Sequence, residues 1–92
     1  MTAAESRWFE AVASLPGCVL CSSYLVQVAH RNEGKGMGKK TAPHMTAALC
    51  PTCHHEIDNG SKLLREERRA LMDKAIVLTH ARLIEAGRLV LR

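Results

Sequence analysis

Leu49-Cys50-Pro51-Thr52-Cys53-His54-His55-Glu56-Ile57-Asp58 is the stretch on which the reading of this chain turns. Cys50 and Cys53 form one CxxC pair, Cys18-Val19-Leu20-Cys21 forms the other, and together they use all 4 cysteines. Each CxxC turn aims two sulfurs at one point, so two pairs supply the four thiolates of a tetrahedral Zn²⁺. A purely structural site needs nothing further. Here the second pair runs straight into two histidines and two carboxylates, within about one and a half helical turns. The pattern predicts a zinc-stapled scaffold carrying a second polar cluster. The competing reading is two disulfides in a secreted protein. Against it stand the doubled CxxC spacing, the charged start at Glu5 and Arg7, and the missing signal peptide. A reducing cytosol is the expected home.

The 92 residues suffice for one domain with a small core. It divides into an N-terminal helix (1–15), a zinc core (16–60) and a C-terminal helix with a tail (61–92). Trp8, Phe9 and Tyr24 are the only aromatics, so a metal staple would supply folding energy that large side chains do not. No apolar run approaches the ~20 residues of a membrane span, and a soluble protein is expected. Thirteen Lys and Arg against nine Asp and Glu leave a net charge of +4, a mild excess that suits a polyanionic partner. Arg31, Lys35, Lys39 and Lys40 lie between His30 and His44, opposed only by Glu33.

Residues 4–14 predict a short amphipathic helix with Trp8, Phe9, Val12 and Leu15 at helical spacing, ended by Pro16-Gly17. Residues 24–29 are rich in β-formers and predict a strand ending near His30. Residues 32–40 hold three glycines in five positions, at 34, 36 and 38, and read as a basic loop or a plain solvated connector. The GxxxxGK[ST] spacing of a Walker loop is absent. Residues 46–49 read as a strand or extended piece. Pro51 suits the first turn of a helix through about Asn59, with Gly60 past its end. A longer helix is expected over 64–86, with an apolar stripe of Leu64, Leu71, Ala75, Leu78 and Leu83 widened by Met72 and Ile76, and Gly87 as its stop. Residues 89–91 would add a terminal strand.

His54 and Asp58 are four positions apart and share one face of their helix, an arrangement suited to a second metal. His55 suits a surface position or a phosphate contact, and Glu56 faces solvent. His30, closing an apolar strand, is placed to act as general base on water. His44, after Pro43, would meet the site from the loop side, and His80 reads as a packing or surface residue of the long helix.

Several of these elements resemble the zinc-containing HNH endonucleases, the ββα-metal or His-Me finger family. They are a CxxC, then Val28-Ala29-His30, then Gly34-Lys35-Gly36-Met37-Gly38-Lys39, then Leu49-Cys50-Pro51-Thr52-Cys53-His54 opening a helix. The chain looks closest to small phage and prophage YbcO-like nucleases, over about residues 16–60. The resemblance implies an α+β fold, a small treble-clef-like ββα-metal domain with flanking helices, and structural zinc on Cys18, Cys21, Cys50 and Cys53. It implies that His30 is the general base and that His54 and Asp58 hold a catalytic divalent ion such as Mg²⁺ or Mn²⁺. The expected activity is metal-dependent hydrolysis of DNA phosphodiesters in phage or prophage DNA processing, in the bacterial cytoplasm. Arg31, Lys35, Lys39 and Lys40 would hold the phosphate backbone. Two positions depart from the pattern. Ala29 stands where many members carry a metal-binding Asp or His, and the middle Asn is missing, with His44 or Met45 in its neighbourhood. The alternative is a non-catalytic zinc module that binds DNA or a protein partner.

Overall fold

Gln27–His30 (β1) and Thr46–Leu49 (β2) pair as an antiparallel ribbon, Gln27 opposite Leu49 and His30 opposite Thr46. Three helices pack on it: α1 (Ala3–Ala13), α2 (Pro51–Asn59) and α3 (Arg65–Glu85). The computed structural model describes residues 2–30, 44–59 and 63–88, and these form a small α+β domain. The loop expected over 32–40, Gly60 and the strand expected over 89–91 lie outside the described residues. Among the described residues, no helix is long and apolar enough to cross a membrane.

Pairing starts at Gln27, three residues later than the β-rich run suggests. Residues before Gln27 would pair beyond Leu49, where Cys50 already turns into α2, so Tyr24 and Leu25 have no partner strand and stand in solvent. Side chains then alternate along the ribbon. Ala29, Ala47 and Leu49 face Ile57 of α2, Met72 and Ile76 of α3, and the cysteines. Val28 and Ala48 face Val12 and Leu15, with Val26 and Trp8 beside them.

α1 begins with Thr2 as its cap, whose hydroxyl accepts the Glu5 amide at 3.1 Å. Its Trp8 indole donates to Thr46 Oγ1 at 2.8 Å and meets the His80 ring edge-on at 5.5 Å, which ties α1, β2 and α3 together.

α3 buries Met72, Ala75, Ile76, Thr79 and Leu83, successive positions on one helical face. Met72, Ala75, Ile76 and Leu83 belong to the expected stripe, whereas Thr79 does not and the other leucines lie at or beyond its edge. Leu64 precedes the helix and is 72% exposed, and Leu71 and Leu78 are only half-buried at its flanks. Thr79, polar on any hydropathy scale, is fully buried because its hydroxyl is satisfied in both directions. It donates to the Ala75 carbonyl at 2.8 Å and accepts the Ala48 amide at 3.1 Å. At the start of α3 the Glu67 carboxylate accepts the Leu64 amide at 2.9 Å, half of a capping box, since a leucine has no side-chain acceptor to return the bond.

The stop at Gly87 is a Schellman arrangement. Gly87 N–H reaches the Ile84 carbonyl at 3.0 Å, Arg88 N–H reaches Leu83 at 2.9 Å, and Gly87 has φ of 74°. A Cβ there meets nothing within 4 Å, so Gly87→Ala isolates the backbone strain. The expected cost is about 1 kcal/mol. Thermal unfolding followed by circular dichroism should show a Tm lower by about 4–8 °C for a domain this size.

Candidate metal centre and the polar cluster beside it

The first CxxC is a tight knuckle. Ser22 N–H returns to the Cys18 carbonyl and Cys18 N–H to the Ser23 carbonyl, each at 2.8 Å, and Ser22 takes a φ of 67° to close the turn. Gly17 leaves room for it, because a Cβ at that position would sit 3.1 Å from the Ser22 carbonyl oxygen. Val19 N–H donates to the Ala48 carbonyl at 3.1 Å, stitching the knuckle to the outer edge of β2. The second CxxC sits at the start of α2. Cys50 caps the helix: its carbonyl accepts the His54 amide at 2.9 Å and its sulfur accepts the Cys53 amide at 3.4 Å. Pro51, lacking an N–H, occupies the first helical position at no cost.

These two turns bring all four sulfurs within 4.8 Å of one another, with Cys21 and Cys50 Sγ 3.4 Å apart. A tetrahedral zinc at about 2.3 Å from each thiolate sets neighbouring sulfurs about 3.8 Å apart, so the cluster fits the ion with small adjustments. All four are free cysteines, the state a thiolate site uses. Among the described residues they are the one group of three or more Cys, His, Asp or Glu donors close enough to hold a metal. Cys18 and Cys50 are buried, Cys53 half-buried and Cys21 exposed. Hydrogen bonds from the Ser23 hydroxyl and backbone, followed by contacts to Cys50 and Cys53, pull the Cys21 thiol down to about 6. Burial, then the hydrogen bonds to Cys21 and Cys50, pushes Cys53 the other way.

Beside the sulfurs, α2 carries the polar cluster. His54 Nε2 lies 2.9 Å from Asp58 Oδ2, as their spacing predicts, and both side chains are about a quarter exposed, at 27% and 26%. His54 Nδ1 lies 2.9 Å from Gln27 Oε1 on β1. With oxygen on both sides, the ring is satisfied as an imidazolium, or as a neutral ring if the Gln27 amide is turned to donate. Gln27 is the functional neighbour that sequence reasoning missed. Arg68 closes the far end of α2 by donating to the Asp58 carbonyl at 3.2 Å. His55 is exposed and Glu56 is half-buried, not solvent-facing as expected.

His30 does not share this side. It stands opposite Thr46 at the other end of the ribbon from Gln27, and its ring packs edge-on against Phe9 of α1 at 5.3 Å. Strand alternation puts it with Val28 on the α1 side, whereas Gln27 and Ala29 face α2. The expected convergence of His30 with His54 and Asp58 is thus not the arrangement observed. Ala29 is fully buried, a packing residue that offers no ligand atom. His44 is exposed, and its carbonyl accepts a hydrogen bond from His80 Nε2 at 2.8 Å. His80 is a packing residue, as anticipated. Arg31, Lys35, Lys39 and Lys40 lie outside the described residues. A cleft of about 500 Å³ is lined by Pro16, Gly17, Cys18, Arg82 and Glu85 and does not include His54 or Asp58.

Comparisons with protein-family models, curated proteins and solved structures return no match for this chain.

Proposed function

We propose that this chain is a metal-dependent DNA endonuclease on a zinc-stapled, treble-clef-like ββα scaffold, serving phage or prophage DNA processing. The observation that carries the reading is the His54–Asp58 pair beside the cysteine cluster. Its N···O distance of 2.9 Å matches the bite of two neighbouring ligands in an octahedral site, about 3.0 Å for bonds of about 2.1 Å. A divalent cation would replace the shared proton, with Gln27 orienting the imidazole from behind. Bound there, a cation supplies Lewis-acid stabilisation of the phosphorane charge. The element order supports the same reading, since a two-stranded ribbon leads directly into the helix that carries both ligands. Arg31, Lys35, Lys39 and Lys40 are the candidate phosphate contacts. His30 lies on the other side of the ribbon from the pair, so its part as a base is not supported by the geometry and is left to the variants.

One observation favours a second reading. His30 lies on the α1 side and Ala29 supplies no ligand, as in a zinc module that binds DNA or a protein without cutting. Supercoiled plasmid incubated with Mg²⁺ or Mn²⁺ separates the two. Nicking by the wild type that His54→Ala loses supports the endonuclease. Retained DNA binding with no nicking at any metal concentration assigns the chain to the second reading.

A further inference from the structure

The four sulfurs of the cluster are not equally reachable. Cys18 and Cys50 are only 3% and 4% exposed, Cys53 is half-buried, and Cys21 is the exposed member. The difference follows from the fold. Cys18 is held under β2, because its neighbour Val19 donates to the Ala48 carbonyl, and Cys50 is the residue at which β2 turns into α2. Cys21 comes later in the knuckle, beside the left-handed Ser22, and that turn carries it to the rim. Its sulfur still lies 3.4 Å from buried Cys50 Sγ. An exposed thiolate beside a shielded one is the arrangement of a reactive cysteine and its resolving partner.

We propose that Cys21 is an oxidative modification site, the point at which hydrogen peroxide enters the cluster, and that Cys50 resolves it to a disulfide that releases the metal. The inference rests on the zinc staple and not on cleavage of DNA. Metal ligation keeps Cys21 in the thiolate form that attacks peroxide. In the first step the Cys21 sulfur bonds to one peroxide oxygen, the O–O bond breaks and hydroxide leaves, giving a sulfenic acid. In the second, the Cys50 thiolate attacks that sulfur, the S–O bond breaks and a second hydroxide leaves. Two thiolates have then given two electrons to one peroxide, and both hydroxides take protons from solvent. Bond formation draws the sulfurs from 3.4 Å to about 2.05 Å, a movement of about 1.4 Å. Cys18 and Cys53 are the ligands that remain, two where a structural zinc takes four. The new bond ties the knuckle to the start of α2, the two turns that the metal would join, so reduction returns the thiols already in place.

The test treats the zinc-loaded chain with stoichiometric hydrogen peroxide and follows zinc release with a colorimetric indicator. Mass spectrometry of the unreduced protein, with and without dimedone to trap sulfenic acid, locates the oxidised sulfurs. The expected result is one zinc released per disulfide, a Cys21–Cys50 link and dimedone on Cys21. Dithiothreitol followed by fresh zinc should restore the bound metal. Cys21→Ser supplies a readout that a merely structural role would not give. It should bind zinc less tightly, yet its peroxide-dependent release, corrected for release without peroxide, should be about 10-fold slower than in the wild type, because its remaining sulfurs are shielded. Faster peroxide-dependent release by that variant overturns the inference. So does a disulfide within one CxxC pair or between chains, or dimedone found first on another cysteine. A chain that binds no zinc before peroxide is added sinks the staple and this inference together, whereas a zinc-loaded chain that keeps its metal under peroxide sinks only the modification site.

Discussion

Removing the metal from the four cysteines should unfold the domain. Among the described residues, the buried large apolar side chains are Val12, Leu15, Leu49, Ile57, Met72, Ile76 and Leu83, and much of the remaining core is alanine: Ala11, Ala29, Ala47, Ala48 and Ala75. An alanine methyl buries little area, so this core contributes less than its residue count suggests. Structural zinc contributes about 10–16 kcal/mol of apparent binding energy at neutral pH, comparable to the whole stability of an ordinary domain. The sulfurs also hold the architecture in place. The knuckle at Cys18 and Cys21 is bonded to β2 through Val19, and Cys50 caps α2, so one ion held there would join the ribbon, the knuckle and the helix. A strong chelator should abolish the helical circular dichroism signal and the cooperative melt, and stoichiometric zinc should restore both. Cys50→Ser should do nearly the same, because that position is buried and loses a ligand, while the serine hydroxyl can still cap the helix. Cys21→Ser, at the exposed corner, should lower zinc affinity with a smaller loss of structure. Zinc and protons compete for the same lone pairs, so the affinity falls as pH falls. Acid unfolding of the zinc-loaded protein should therefore coincide with zinc release measured by a colorimetric indicator. A folded, cooperatively melting protein containing no metal would refute the staple.

The parts legible in the sequence were those whose chemistry is local. CxxC spacing marks a ligand pair, Pro51 marks a first helical turn, Gly87 marks a helix end, and an i, i+4 pair on a helix such as His54 and Asp58 must meet. What was not legible depends on which side chains meet across the ribbon or on which face of a helix they lie. Nothing local marks Thr79 for burial, and the amide of Ala48, which lies 31 residues earlier, makes it possible. The stripe of α3 was read with Met72, Ala75, Ile76 and Leu83 correctly in it, but Leu64, Leu71 and Leu78 fall at its margin or outside it. The last case is the ribbon. In an antiparallel pair the helix that follows β2 starts beside the beginning of β1, not beside its end. Antiparallel pairing alone therefore makes Gln27, not His30, the neighbour of His54. Had the strands been paired on paper before the residues were assigned, Gln27 would have been found and His30 placed at the far end.

That geometry sets the expected ranking of variants around the His54–Asp58 pair, where the largest functional effects should fall. Under the endonuclease reading the two side chains act on one cation, so His54→Ala should raise the Mg²⁺ or Mn²⁺ needed for half-maximal nicking by about 10–100-fold, with partial rescue at high metal. Asp58→Asn keeps the size but removes the charge that makes the carboxylate a good ligand, and should cost a similar factor. The double variant should be little worse than either single one, because groups that act as a unit lose their joint contribution once. Gln27→Ala should show a weaker form of the same phenotype, about 10-fold at most, since it orients the imidazole without touching the ion. Zinc content and melting temperature should stay near wild type in all four, as these side chains are partly exposed and lie outside the sulfur cluster. His30→Ala is the discriminating case. If His30 is the base, nicking should fall by about 10²–10⁴-fold with the metal requirement unchanged. Should His30→Ala instead lower the melting temperature while nicking per folded molecule is preserved, its contact with Phe9 is structural, and the metal-bound water must be activated without it.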